Sequence, residues 1–228
     1  MIYDCFPFFN EFDILKIRLN TLNDVVDKFV IYESNFTFSG NKKKFFFDER
    51  KHLFNEFAHK IIHIKDRDNN FDLNPFERDE YQKNKISSGL KKCSDNDIII
   101  FSDCDEIPNP KKIKEILQDF EDDKVYHFAQ NNYYFYLNLQ DISNNLLSFT
   151  GEFKFKFNKK WLGSKMFSYG LLGNKDIVTF RYPSSKKNGI RVENGGWHFT
   201  YMSREKDDDI IDSIKYKIEN AAHQEFNN

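Results

Sequence analysis

Asp97-Ile98-Ile99-Ile100-Phe101-Ser102-Asp103-Cys104-Asp105-Glu106-Ile107-Pro108 carries the strongest buried-strand signal in the chain and runs straight into a group of acids. Four consecutive apolar residues bounded by polar ones read as a short strand inside a sheet. Ligands of open α/β sheets bind beyond the carboxyl ends of their strands, and Asp103 and Asp105 stand just there. Two carboxylates two residues apart on an extended turn, with Glu106 beside them, concentrate negative charge. Such a site calls for a cation, and hard divalent ions such as Mg²⁺ or Mn²⁺ favour oxygen ligands. A metal there would hold a diphosphate and offset the charge developing on it as it leaves. The tripeptide alone also fits a solvated loop whose carboxylates cap a helix after Pro108. Its place behind a buried strand tips the reading toward a metal site.

The flanking sequence supplies the α/β context. Ile2 to Phe9 reads as an apolar strand, and from Glu11 to Val26 the residues Phe12, Leu15, Leu19, Leu22 and Val26 recur at helical spacing. Phe29-Val30-Ile31-Tyr32 is a second strand that ends abruptly in Glu33-Ser34-Asn35. Strand, helix and strand of these lengths predict a βαβ unit with a parallel pair. Lys60 to Ile64 reads as a third strand, Asp66 to Pro75 as a polar loop, and Arg78 to Cys93 as a helix with Ile86, Leu90 and Cys93 on one side. Pro108 and Pro110 bracket the start of a helix reaching Phe120. After Lys124 the pattern changes: Val125 to Leu139 and Glu152 to Phe157 alternate or run aromatic, as antiparallel strands do. Ser203 to Ala222 closes with a helix whose apolar stripe includes Ile210, Ile211, Ile214 and Ile218. The expected fold is α/β: a mostly parallel, Rossmann-like central sheet with helices on both faces, and an antiparallel C-terminal part. No repeat and no long linker divides it, so a single domain is expected.

Composition excludes several classes. With 39% hydrophobic and 17% aromatic residues over 228 positions, the chain can bury a core. Lys plus Arg numbers 34 against 36 for Asp plus Glu, so the basic excess of a nucleic-acid binder is absent. The run Lys42-Lys43-Lys44 reads as a solvated loop. Cys5, Cys93 and Cys104 show no paired spacing and predict free thiols in a reducing compartment. No stretch approaches the roughly 18 apolar residues of a membrane span, and the N-terminus shows no leader pattern. A soluble, cytoplasmic protein is expected.

Longer blocks carry a resemblance. Ile100-Phe101-Ser102-Asp103-Cys104-Asp105-Glu106-Ile107-Pro108 resembles the SDxDEIP signature of glycosyltransferase family 17, which includes N-acetylglucosaminyltransferases. Tyr3-Asp4-Cys5-Phe6-Pro7-Phe8-Phe9-Asn10-Glu11 with Ile17-Arg18-Leu19, and the block Phe29 to Gly40, match it in style. Arg78 to Asn84, Gly196-Trp197-His198 and His223-Gln224-Glu225-Phe226 follow in the expected order, so the likeness spans nearly the whole chain. It implies a GT-A-like fold, an inverting transfer with a divalent metal, and a UDP-sugar donor, with UDP-N-acetylglucosamine expected. Residues 1–123 would then bind the nucleotide sugar and 124–228 would face a glycan acceptor. The chain is shorter than the eukaryotic members and lacks their membrane anchor, so a surface polysaccharide or lipid-linked glycan precursor suits it better as acceptor than an N-glycan.

Roles follow position by position. Asp105 matches the metal-binding second aspartate of the motif, and Asp103 the first, which meets the ribose or the metal through water. Glu33 ends the second strand where an acid would face the nucleoside, or is an acid satisfied by a loop amide. Pro7, Phe8 and Asn10 follow the first strand and line the nucleotide pocket, with core packing the alternative for Phe8. His198, in Gly195-Gly196-Trp197-His198, is the candidate third metal ligand or phosphate contact, because glycines let backbone approach a ligand and a neutral imidazole ligates. Trp197 stacks on a sugar or fills the core. His223 and Glu225 close over the donor, and Gln82, with Arg78 and Glu80, reaches it from the preceding helix or caps the helix surface. Arg191 and Lys165 are cationic candidates for the diphosphate. An inverting transfer needs a base for the acceptor hydroxyl. Glu152 is the leading candidate beside Glu106, Glu193 and Glu225, with Glu106 closer to an electrostatic support. Tyr133 to Tyr136 could stack on sugar or pack a strand. A non-catalytic nucleotide-sugar or glycan-binding module and a metal-dependent nucleotidyltransferase are the competing readings; the second would want a Gly- and basic-rich phosphate loop that Pro7-Phe8-Phe9-Asn10 does not provide.

Overall fold

The first strand, β1 (Ile2–Pro7), splits its side chains between two faces by simple alternation, with Tyr3 and Cys5 to one side and Asp4 and Phe6 to the other. The same division runs through β2 (Lys28–Ser34) and β4 (Ile98–Phe101), giving two hydrophobic clusters, one on each face of the sheet. Helix α1 (Phe12–Leu22) lays Ile14, Leu15, Leu19 and Leu22 on the first face, with α2 (Phe46–Arg50) supplying Phe47 and the following 3₁₀ segment Phe54. The second face is covered by Ile86 and Leu90, by α5 (Tyr169–Leu172) through Leu172, and by Phe180. A sheet covered on both faces explains why its strands read as continuous apolar runs. This computed structural model describes residues 1–67, 72–141, 160–181, 188–202 and 210–227.

With β3 (Ile61–Asp66), β5 (Glu106–Pro108), β6 (Val125–Tyr134), β7 (Trp161–Ser168) and β8 (Gly189–Thr200), the strands form one eight-stranded sheet in the order β3-β2-β1-β4-β7-β6-β8-β5. The first four in that order pair in parallel, and β7 joins β4 antiparallel. The expected α/β fold, parallel at its N-terminal side and helix-covered on both faces, is therefore present.

Several boundaries move. β1 stops at Pro7, α1 at Leu22, and β6 at Tyr134. Helix α3 (Pro75–Lys85) starts earlier than expected because Asn74 caps it: its side chain accepts from the Phe76 and Glu77 amides while Glu77 reaches back to the Asn74 amide. It gives way at Ile86 to a 3₁₀ turn reaching Leu90. Pro108 ends β5, and α4 (Pro110–Ile116) begins after Asn109, whose side chain accepts from the Lys111 amide. The C-terminal part is not purely antiparallel. β6 runs antiparallel to β7 but parallel to β8, with a register shift between Phe128 and Gln130. The closing helix, α6, is described over Ile210–Asn220, the start expected at Ser203 lies outside the described residues, and Ile211 of its apolar stripe is exposed. The segment Glu152 to Phe157 lies outside the described residues.

Candidate functional site

Arg18 organises the acidic turn from below. It sits three residues after Leu15 and four before Leu22, on the buried face of α1, and is itself fully buried. Its guanidinium grips Asp4 of β1 bidentately, Nε to Oδ2 at 2.8 Å and Nη2 to Oδ1 at 2.6 Å. Nη1 donates to the carbonyls of Asp103 (2.9 Å), Cys104 (3.1 Å) and Glu106 (2.9 Å), and Nη2 to Ser102 Oγ (2.6 Å). The polar backbone of a tight turn is thereby satisfied inside the protein. Cys104 points into the core, and the Asp105 carbonyl accepts from the Phe199 amide of β8 at 2.9 Å. The aspartates on either side of Cys104 are left to face a cavity of about 490 Å³.

That cavity brings together Pro7, Phe8, Gln82, Asp103, Asp105, Glu106, His198 and His223 from the expected set. His198 Nδ1 donates to Asn132 Oδ1 at 3.0 Å, and its Nε2 lies 3.4 Å from Thr200 Oγ1 and 3.9 Å from Asp105 Oδ1. Gln82 donates to the Phe36 carbonyl at 3.1 Å, and His223 stands at the exposed rim against Phe76. The expected metal triad is not assembled. Asp103 is turned to two cations, Arg181 Nη2 at Oδ2 (3.0 Å) and Lys83 Nζ at Oδ1 (3.1 Å), because both reach it from the second face of the sheet. Among the described residues no three His, Cys, Asp or Glu side chains converge for a metal. Asp105 and His198 remain a carboxylate–imidazole pair with the cavity in front of them. That donor set suits an ion whose remaining positions are filled by phosphate oxygens and water.

Glu106 has both carboxylate oxygens engaged within the protein. It is fully buried, and its Oε1 accepts from Trp161 Nε1 (2.6 Å) and Arg181 (3.0 Å), its Oε2 from the Asp103 amide (2.9 Å) and Arg181 (3.0 Å). Burial by itself would raise its pKa, but the Arg181 guanidinium outweighs it and holds the carboxyl well below the usual range. A carboxylate so engaged is a poor proton acceptor. Glu225 is exposed on the rim, 2.6 Å from His223, and lies toward a separate shallow cleft beside Glu80. Glu152 falls outside the described residues.

Other expectations meet plain physical obstacles. Trp197 is not at the cavity: alternation along β8 that points His198 inward sends its neighbour to the opposite face, against the core. The indole that lines the cavity is Trp161, stacked on His198 with centroids 5.0 Å apart. Gly195 and Gly196 serve strand packing, not ligand approach. A Cβ on Gly195 would meet the β6 backbone at Ala129, and one on Gly196, whose φ is +129°, would overlap the Ile107 carbonyl of β5. Glu33 is buried away from the cavity, accepting from the Phe47 amide at 2.9 Å, with His63 at 3.2 Å and Lys43 at 3.7 Å, which is its loop-amide alternative. Lys43 is correspondingly tucked in and lines the cavity, unlike the exposed Lys42 and Lys44. Burial pushes its ammonium down to about 8, against the pull of Glu33. Asn10 uses its backbone amide on Glu11 and does not line the cavity. Arg78 holds the Phe38 and Leu73 carbonyls, Lys165 those of Leu162 and Gly163, and Arg191 pairs with Glu193 on the surface. Tyr133 packs on Phe199 in keeping with its strand-packing alternative, whereas Tyr136 lies past the end of β6 and is exposed.

Three cations at this site were not anticipated: Lys83, Arg181 and Lys217. Lys217, on α6, lies 3.1 Å from Asp105 Oδ2 and 3.9 Å from Glu11 Oε1. Burial alone would lower its pKa, yet Asp105 and Glu11 raise it above the ordinary lysine range. The lining carries the carboxylates of Glu11, Asp79, Asp103, Asp105 and Glu106 against Lys83, Arg181 and Lys217, with Lys43 committed to Glu33. The described lining therefore holds more carboxylates than cations.

The profile of Glycosyltransferase family 17 matches residues 1–225. The chain is similar to Beta-1,4-mannosyl-glycoprotein 4-beta-N-acetylglucosaminyltransferase of Homo sapiens, 32% identical over 108 residues, which is 43% of this chain and 20% of that protein. The Rattus norvegicus and Mus musculus proteins of the same name match at 32% and 31% over the same extent. The chain thus spans about a fifth of the length of these relatives. The crystal structure of S. aureus TarS 1-349 superposes with a TM-score of 0.49 at 14% identity, covering 96% of this chain and 66% of that one. No helix among the described residues is long and apolar enough to cross a membrane.

Proposed function

The chain belongs to glycosyltransferase family 17, and from that premise we propose that it is an inverting, metal-dependent transferase of GT-A-like fold. It moves a sugar, N-acetylglucosamine, from a UDP donor to a glycan acceptor. The observation that carries this reading is the Asp103–Asp105 turn at the end of β4, set by Arg18 and opening onto the large cavity. Residues 1–228 act as a single domain in which the first half binds the donor.

Asp105 and His198 would hold Mn²⁺ or Mg²⁺, with Asp103 kept beside them by Arg181 and Lys83. When bound, such an ion supplies positive charge against the negative charge growing on the departing diphosphate. Arg181 and Lys83 add fixed positive charge at the same end of the cavity. Phe8, Phe36 and Phe38, with Gln82, form an apolar recess with one amide, suited to a nucleoside. Trp161 offers a ring face near His198 for a sugar. The acceptor hydroxyl must lose a proton, and we assign that step to Glu152, because Glu106 has both oxygens engaged, Glu193 is paired with Arg191 at the surface and Glu225 is paired at the rim.

The test is calorimetric titration of UDP and UDP-N-acetylglucosamine with Mn²⁺ or EDTA, on the native protein and on Asp105→Ala. Nucleotide binding is expected to need the metal and to weaken at least a hundredfold in the variant. Binding unaffected by both EDTA and the substitution would overturn the metal-dependent reading. Release of UDP on addition of acceptor, abolished by Glu152→Gln with donor binding retained, checks the base.

A further inference from the structure

Helix α6 brings an ammonium group to the very carboxylate that the cation would use. Lys217 Nζ is 3.1 Å from Asp105 Oδ2, and its other anionic neighbour, Glu11 Oε1, is 3.9 Å away. The helix that carries it is seated on the cavity wall. Tyr216 stacks on Phe9 with centroids 5.5 Å apart and planes within 12°, and Asn220 accepts from Asn41 Nδ2 at 3.3 Å. Ile218, Asn220 and Ala221 complete the lining beside it. Asp105 is largely buried, so this ion pair is little screened by solvent. Asp103 has its own two cations, and Glu106 has Arg181. Lys217 is therefore the nearest ammonium to Asp105, which it serves together with Glu11.

A divalent ion on Asp105 and an ammonium on the same carboxylate repel one another at contact distance. We propose that Lys217 is the resident cation of the donor site, exchanging with the divalent metal at Asp105 and passing to the incoming diphosphate. This rests on reading Asp105 as the metal ligand. In the free protein Lys217 opposes metal binding. When a nucleoside diphosphate arrives, its oxygens offer the displaced ammonium a new partner within reach of the flexible lysine stem. Metal and diphosphate then strengthen each other's binding through Lys217, a coupling that must be equal in both directions.

The experiment is Mn²⁺ titration, by calorimetry, of the native protein, Lys217→Met, Lys217→Gln, Lys215→Met and Asp105→Ala, each without nucleotide and with saturating UDP. Lys215 lies on the same helix, is 67% exposed and pairs with Asp212, so it controls for a general change in charge. Without nucleotide, both Lys217 variants are expected to bind Mn²⁺ at least tenfold tighter than the native protein, and Lys215→Met less than twofold tighter. The factor by which UDP tightens Mn²⁺ binding should fall at least threefold in the Lys217 variants. Equal Mn²⁺ affinities in native protein and both Lys217 variants, with binding lost in Asp105→Ala, would overturn this proposal and leave the metal site standing. Mn²⁺ binding that survives Asp105→Ala would instead overturn the metal assignment itself. A folded state matching the native circular dichroism in each variant keeps either result interpretable.

Discussion

At the scale of single residues, the site is held together by a few side chains whose polar atoms are fully engaged. Glu106 shares its two oxygens among Arg181, Trp161 and the Asp103 amide. Removing one partner of a buried pair costs about 3–5 kcal/mol, and Glu106→Gln should destabilise the protein by that order at pH 7. The dependence on pH follows from the direction of its shift. A carboxylate whose folded pKa is depressed contributes stability above its unfolded value of about 4.3, and loses it as pH falls through the folded value. The gap between native protein and Glu106→Gln, measured by urea denaturation, should be full at pH 7 and narrow below about pH 4. A constant gap from pH 7 to 3 would contradict the ion-pair account. Much of this residue-level site was legible in sequence: Asp103 and Asp105 follow a strand, and His198, Gln82 and Phe8 reach the same cavity. Arg18 left a readable trace, a lone charge on the apolar face of α1. Lys83, Arg181 and Lys217 left none, since each meets the acids only across the fold.

At the scale of elements, the close seam between β5, β6 and β8 sets the far wall of the cavity. Gly196 sits there at φ +129° with the Ile107 carbonyl where a side chain would go. Gly196→Ala should cost about 2–4 kcal/mol, combining a left-handed backbone penalty with displacement of β5. Because β5 begins at Glu106, the substitution should also weaken Mn²⁺-dependent UDP binding. A thermal midpoint unchanged from the native protein would refute the packing role of the glycine. The parallel half was legible because its strands are continuous apolar runs separated by a helix of clear period. β5 was not, since three residues ending in proline carry no periodic signal. The parallel pairing of β8 with β6 was not either, because register and direction are set by neighbours distant in the chain.

At the scale of the whole molecule, the two halves are sewn together. β4 of the first half pairs with β7 of the second, and β5 pairs with β8. We therefore expect one cooperative unfolding transition, with a calorimetric enthalpy equal to the van't Hoff value. Two resolved transitions would divide the chain into separate units. On the proposed reading, bound Mn²⁺ and UDP together should raise the single midpoint, because the ion would sit between Asp105 of the first half and His198 of the second and neither ligand has a site in the unfolded chain.

The sequence by itself determined the α/β class, the strand behind Asp103 and Asp105, and the family. These depend on local periodicity and on residues adjacent in the chain. Only the tertiary structure decided that Trp161 faces the cavity in place of Trp197, that Arg181, Trp161 and the Asp103 amide engage both oxygens of Glu106, and that lysine and arginine side chains pair with the acidic turn. Each of those outcomes turns on which face a strand presents and which charges meet at contact distance. Coulomb energy and burial depend on separation in space, and spacing along the chain does not encode it.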